Sequence, residues 1–126
     1  MANNKNRPIF LDLKRIHMPV NAVMSIGHRL AGVMLFLAIP IVIYILELSL
    51  QDPEGYQQVK ALFDGLLFRA VFILILWFLA HHFLAGIRYL LIDVEVGVEP
   101  AAARKSAWWV IISAVVAVLI FTQVLL

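Results

Sequence analysis

The chain contains no cysteine. That excludes disulfides, thiolate metal sites, covalent c-type haem attachment and a cysteine-ligated iron–sulfur cluster of its own. Charge is scarce as well: only 14% of the 126 residues are Asp, Glu, Lys or Arg, against 63% hydrophobic. A soluble domain carries about a quarter charged residues, so the composition, with mean hydropathy +0.96, is that of an integral membrane protein. A net charge of +2 is too small to point to nucleic acid. A cleaved signal peptide is not expected, because the first apolar run follows a polar, basic arm and is itself of spanning length. There is no internal repeat and no low-complexity tract.

What is present is three long apolar runs. Residues 1–20 form a polar arm with Lys5, Arg7, Lys14 and Arg15, broken by Pro8 and Pro19. They are expected to lie extended on the cytoplasmic face. The remainder, 21–126, is one membrane domain with helices expected at about 22–48, 66–92 and 107–126. Asn21 is a natural cap for the first. Pro40 is expected to kink it, and Glu47 lies at its far interface. The connection at 49–65 contains Asp52-Pro53, a cap followed by a first-turn proline, which predicts a short interfacial helix. Residues 93–106 read as a loop, and Trp108-Trp109 as an interface anchor for the last span. Eight of the basic residues lie in the arm, the entrance to the first span, or the second loop and its approach; only Lys60 and Arg69 lie on the other side. The positive-inside rule then places the N-terminus in the cytoplasm. The expected fold is an all-α, three-span membrane protein.

Costly polar groups inside the spans mark the candidate site. His81 and His82 are adjacent, so they point about 100° apart on a helix and cannot serve one small site. His82 is followed one turn later by Ala85-Gly86 and two turns later by Tyr89, with Phe78 one turn before. A small-residue patch between aromatic rings admits a flat, bulky group to the backbone, and a b-type haem fits that description. The alternative is a histidine hydrogen-bonded between helices. His81, crowded by Trp77, reads as structural. In the first span Ser25, His28 and Arg29 can share a face. Hydroxyl, imidazole and guanidinium together suit either a quinone head group or haem propionates, although Arg29 is equally suited to be a simple membrane anchor. Arg88 and Asp93 lie at the same membrane side, and Asp93 is expected to cap the helix or pair with Arg88. His82, about ten residues in from Asp93, is expected to lie ~15 Å deep at ~1.5 Å per residue, with His28 at the entrance and so at a different depth. An iron held by His82 would then take its second ligand from another chain.

Arg7-Pro8, Leu11-Asp12-Leu13, Pro19, the Ser25-Ile26-Gly27-His28-Arg29 run and Gly32 together resemble the N-terminal signature of the cytochrome b556 membrane-anchor subunits of succinate dehydrogenase. His82, Gly86-Ile87-Arg88 and Asp93 resemble their second-span motif, and Pro53-Glu54-Gly55 a turn in bacterial members. The third span matches only in kind. The resemblance implies one half of a heterodimeric, haem-binding helix bundle in the bacterial inner membrane. His82 would be the axial ligand to a single haem b shared with a second anchor subunit. His28 and Arg29 would be propionate contacts, and Ser25 and Arg29 ubiquinone-site residues. Arg88, Tyr89 and Asp93 would be supporting groups. Tyr89 stands where related proteins often place a second histidine, so a phenol replaces an imidazole there.

The expected activity is ubiquinone reduction with electrons from an iron–sulfur subunit, itself served by a flavoprotein subunit that oxidises succinate. A flavin domain is not expected in these 126 residues. Three rivals are distinguishable: a fumarate reductase anchor oxidising a quinol, a di-haem cytochrome b, and a non-enzymatic structural bundle. The four histidines are badly placed for a di-haem protein. Only the haem-bearing readings call for sharp b-type bands in a reduced-minus-oxidised spectrum.

Overall fold

The computed structural model describes residues 17–125, so the expected extended arm and its motifs lie outside the described residues. The described chain is all helical: α1 (Val20–Gln51), α2 (Pro53–Leu62), α3 (Leu66–Asp93) and α4 (Pro100–Leu125). Three of these, α1, α3 and α4, are long and apolar enough to cross a membrane. The 28 residues of α3 extend about 42 Å at ~1.5 Å per residue. That exceeds a ~30 Å hydrocarbon core, so this helix must tilt or protrude.

Helix ends follow local chemistry, with two departures from expectation. The first helix starts at Val20, its first amides bonding to the Pro19 carbonyl. No side chain caps it, so the cap expected of Asn21 is not made; the Asn21 oxygen is instead used by another helix. The fourth helix starts at Pro100 rather than near Ala107, because proline is preorganised for a first turn and Ala101–Ala103 continue it. The second loop is therefore only 94–99, with Glu95 and Gly97 at positive φ reversing the chain. The Asp52-Pro53 start of α2 is made as expected, Asp52 accepting from the Gly55 amide at 2.6 Å. Gly55 lies so close to the Leu48 carbonyl that a Cβ there would collide with it. α1 continues as one helix through Pro40.

α3 packs between α1 and α4, which also touch each other. The buried apolar positions are mostly alanine: Ala31 and Ala38 on α1, Ala85 on α3, and Ala103, Ala107 and Ala114 on α4. In lipid there is no hydrophobic drive between helices, so close backbone approach through small residues is what holds them. The larger apolar side chains point outward instead, Phe36 and Leu66 among them. Two polar residues, His81 and Arg88, are buried with Ala85 on one stripe of α3.

Candidate functional site at the α1–α3 contact

Two stripes of α3 divide the polar groups. His81, Ala85 and Arg88 are buried, while His82, Gly86 and Tyr89 form the neighbouring, half-buried stripe. His82 lies against α1 with its Nδ1 3.1 Å from the His28 carbonyl oxygen. A carbonyl can only accept, so Nδ1 donates in this bond, which leaves Nε2 uninvolved. The His28 ring stacks on the His82 ring at 4.2 Å and 12°, and Tyr89 tilts against His28 at 5.3 Å. Gly32 lies under His82: a Cβ there would be 3.0 Å from the ring carbon Cε1.

This arrangement corrects two expectations. His28 and His82 are at the same depth. α1 begins two turns before His28, and the antiparallel packing of α1 on α3 sets the histidines side by side. They still cannot bind one iron from opposite faces, because parallel stacked rings present their nitrogens side by side. The small-residue patch is also not open. Ala85 is fully buried in a cluster with Met24, Ala107 and Val110, and a Cβ on Gly86 would already meet His28 Nε2 at 3.9 Å. The open space lies on the other side of His82. It is an apolar groove of about 510 Å³ between Gly32, Leu35, Phe36 and Ile39 on α1 and Ile75, Leu79 and His82 on α3. The groove runs from His82 away from the basic end of the bundle. It can receive a flat apolar group with a metal centre at its mouth.

His81 faces elsewhere. It is 2% exposed, stacks on Trp77 at 5.2 Å and abuts Gly27, where a Cβ would be 3.0 Å from its Nε2. Neither ring nitrogen has a hydrogen-bond partner among the described residues. Ser25 is half-buried and Arg29 exposed on the same side of α1 as His28. Among the described residues no three His, Asp or Glu side chains are grouped to hold a metal ion.

Arg88 does not pair with Asp93. Its Nε donates to Ser106 Oγ at 2.8 Å, and its Nη2 to the Ala103 carbonyl at 2.9 Å and to Asn21 Oδ1 at 3.3 Å. The guanidinium also lies 5.6 Å from the Tyr89 ring centre. The reason is rotational: five residues on, Asp93 is displaced by roughly 140° around the helix and is exposed. Arg88 thus ties α3 to α4 and to the start of α1, a role not foreseen for Asn21 or Ser106. Removing it should break these three bonds, two of them part-buried and one buried, at a cost of about 1–3 kcal/mol. Thermal unfolding in detergent should therefore show Arg88→Met clearly destabilised and Asp93→Asn within about 0.5 kcal/mol of the parent. Equal losses in the two variants would contradict this pairing.

Sequence reasoning did not foresee the roles of Gly27 and Gly32. The available signal was two glycines inside an otherwise large-residue apolar helix, where glycine costs helix stability unless something approaches closely.

Comparison with known proteins bears on the whole chain. Residues 3–121 match the family model described as succinate dehydrogenase/fumarate reductase transmembrane subunit. A succinate dehydrogenase cytochrome b556 subunit of Coxiella burnetii is 34% identical over 119 residues, covering 93% of this chain and 94% of that protein. The subunit of the same name from Paracoccus denitrificans is 29% identical over 115 residues, covering 91% and 88%. That of Rickettsia felis is 29% identical over 109 residues, covering 86% and 85%.

Proposed function

Since the chain belongs to the succinate dehydrogenase/fumarate reductase transmembrane subunit family, we propose that it is the cytochrome b anchor of a succinate:ubiquinone oxidoreductase in a bacterial inner membrane. It would hold one haem b together with a second anchor subunit. The observation that carries this reading is the bond from His82 Nδ1 to the His28 carbonyl. Metal-binding histidines characteristically donate their other ring N–H to a carbonyl or carboxylate, which fixes the tautomer and strengthens the ligand. The residues fit the group in two further respects: the His82 ring is held by stacking on His28 and by close approach to Gly32, and an apolar groove opens beside it.

When bound, the haem supplies a one-electron redox centre within the bilayer. His82 Nε2 would be its axial ligand from this chain. His28 and Arg29 lie toward the basic end, where a propionate would find donors and positive charge. The second ligand would come from the partner anchor, because the His28 ring is stacked, His81 is sealed against Gly27, and His17 is exposed outside the helices. Ser25 Oγ and the Arg29 guanidinium would donate to the carbonyl oxygens of a ubiquinone head group at the cytoplasmic end of α1. There an iron–sulfur subunit, bound to a flavoprotein, would deliver electrons, and protons would enter from the cytoplasm. The names of the relatives favour the succinate-oxidising direction over fumarate reduction.

The test is reconstitution. Expressed alone, this chain should take up little haem, because one imidazole leaves the iron incompletely ligated and the groove open to lipid. Co-expression with a second three-helix anchor should produce the sharp reduced-minus-oxidised bands of six-coordinate b haem. Stable six-coordinate haem in the lone chain would refute the shared site. No haem in the full complex would refute the cytochrome.

A further inference from the structure

The His28 carbonyl that accepts from His82 is also the helical acceptor of the Gly32 amide, four residues on. A carbonyl inside a helix is normally screened by the side chain at that i+4 position. Here there is none. A Cβ at residue 32 would sit 3.0 Å from His82 Cε1 and 3.4 Å from Nδ1. The His28 ring, stacked on the imidazole at 4.2 Å, occupies one of its faces.

From this we propose that Gly32 is the positioning residue for His82. Its missing side chain is the notch through which the imidazole reaches the His28 carbonyl, and that bond sets the donor strength of Nε2 and the angle of the ring. The proposal rests on the haem reading above. A methyl group in the notch would push the ring off the carbonyl and break the Nδ1–H···O bond without removing the ligand. A hydrogen-bonded imidazole is the more basic donor and favours ferric over ferrous iron. Weakening it should raise the haem reduction potential.

Gly27 supplies a matched control. It receives the neighbouring ring, His81, at the same 3.0 Å, so Gly27→Ala crowds the same pair of helices without touching His82. Both substitutions put the better helix former into α1. In the assembled complex, redox titration of the b bands should show Gly32→Ala with haem retained and its potential raised. A tenfold loss of ferric preference corresponds to ~59 mV for one electron. The low-spin ferric electron paramagnetic resonance signal should shift with the ring angle. Gly27→Ala should leave both readings at parental values. An unmoved potential in Gly32→Ala, or equal shifts in the two variants, would overturn the proposal.

His82→Leu in the same background separates this from failure of the haem reading. If that variant kept the parental b bands, the ligand assignment itself would fall. If it lost them, the assignment would stand and the glycine pair would decide the positioning role. Should Gly32→Ala not assemble, the parent complex decides by nuclear magnetic resonance of ¹⁵N-histidine in the reduced, diamagnetic state. The ligand imidazole should show a protonated, hydrogen-bonded Nδ1; a proton there without a hydrogen bond would overturn the proposal.

Discussion

Replacing His82 with Leu is expected to abolish or shift the b-type spectrum of the assembled complex. Loss of a partner that merely orients a ligand costs 10–100-fold in metal affinity, so loss of the ligand itself should exceed about a hundredfold. No other histidine can take its place. His81 is next in sequence but one stripe away, buried against Gly27 and Trp77, and the His28 ring lies flat against the vacated position. His81→Leu is the informative partner experiment. Both its ring nitrogens lack partners in a site sealed from water, and an unpaired buried polar atom costs roughly 1–3 kcal/mol. An apolar side chain there should leave the spectrum intact and the protein as stable or more so. Pigment loss in His81→Leu with retention in His82→Leu would reverse the assignment of faces. Visible spectroscopy and thermal unfolding of the purified complexes provide both readings.

Ser25→Ala should cut ubiquinone reduction about five- to a hundredfold, the equivalent of losing one buried hydrogen bond of roughly 1–3 kcal/mol to the head group. Arg29→Leu should do at least as much, since it removes a charged donor. Succinate oxidation with a soluble dye, which bypasses the membrane site, should survive in both variants provided the complex assembles. Ser25 is the cleaner test, because Arg29 is also proposed to meet a propionate. Ser25 is half-buried beside exposed Arg29 at the basic end of α1, one turn before the His28 ring that backs His82. A quinone there would lie on this chain's side of the haem. Undiminished quinone reduction in Ser25→Ala would remove the hydroxyl from the site.

Much of this architecture follows from composition and periodicity. Scarce charge, three apolar runs of spanning length and an asymmetric distribution of Lys and Arg determine the class, the spans and the expected orientation, because the bilayer imposes those terms on each helix separately. The absence of cysteine rules out an iron–sulfur cluster ligated by this chain's own thiolates. The 100° step between neighbours separates His81 from His82 whatever surrounds them. Local chemistry at Asp52-Pro53 starts α2 where it is found.

Contacts between helices are another matter. Periodicity tells which residues share a face but not which helix covers that face, nor how far two antiparallel helices slide along one another. His28 and His82 meet because α1 packs against α3 in the register that sets the His28 carbonyl against His82 Nδ1. Ala85 and Gly86 are equally small, yet one is in the core and the other against His28, separated by one step of rotation. Arg88 has an acidic residue five positions away and ignores it, because α4 presents Ser106 and the Ala103 carbonyl on the face where its side chain points. Gly32 is a glycine for the sake of a ring 50 positions later in the chain; the local sequence shows that something approaches there, but not what. Sliding or rotating a helix by a single residue changes every such pairing while leaving hydropathy and charge as they were, so only the packed structure distinguishes them.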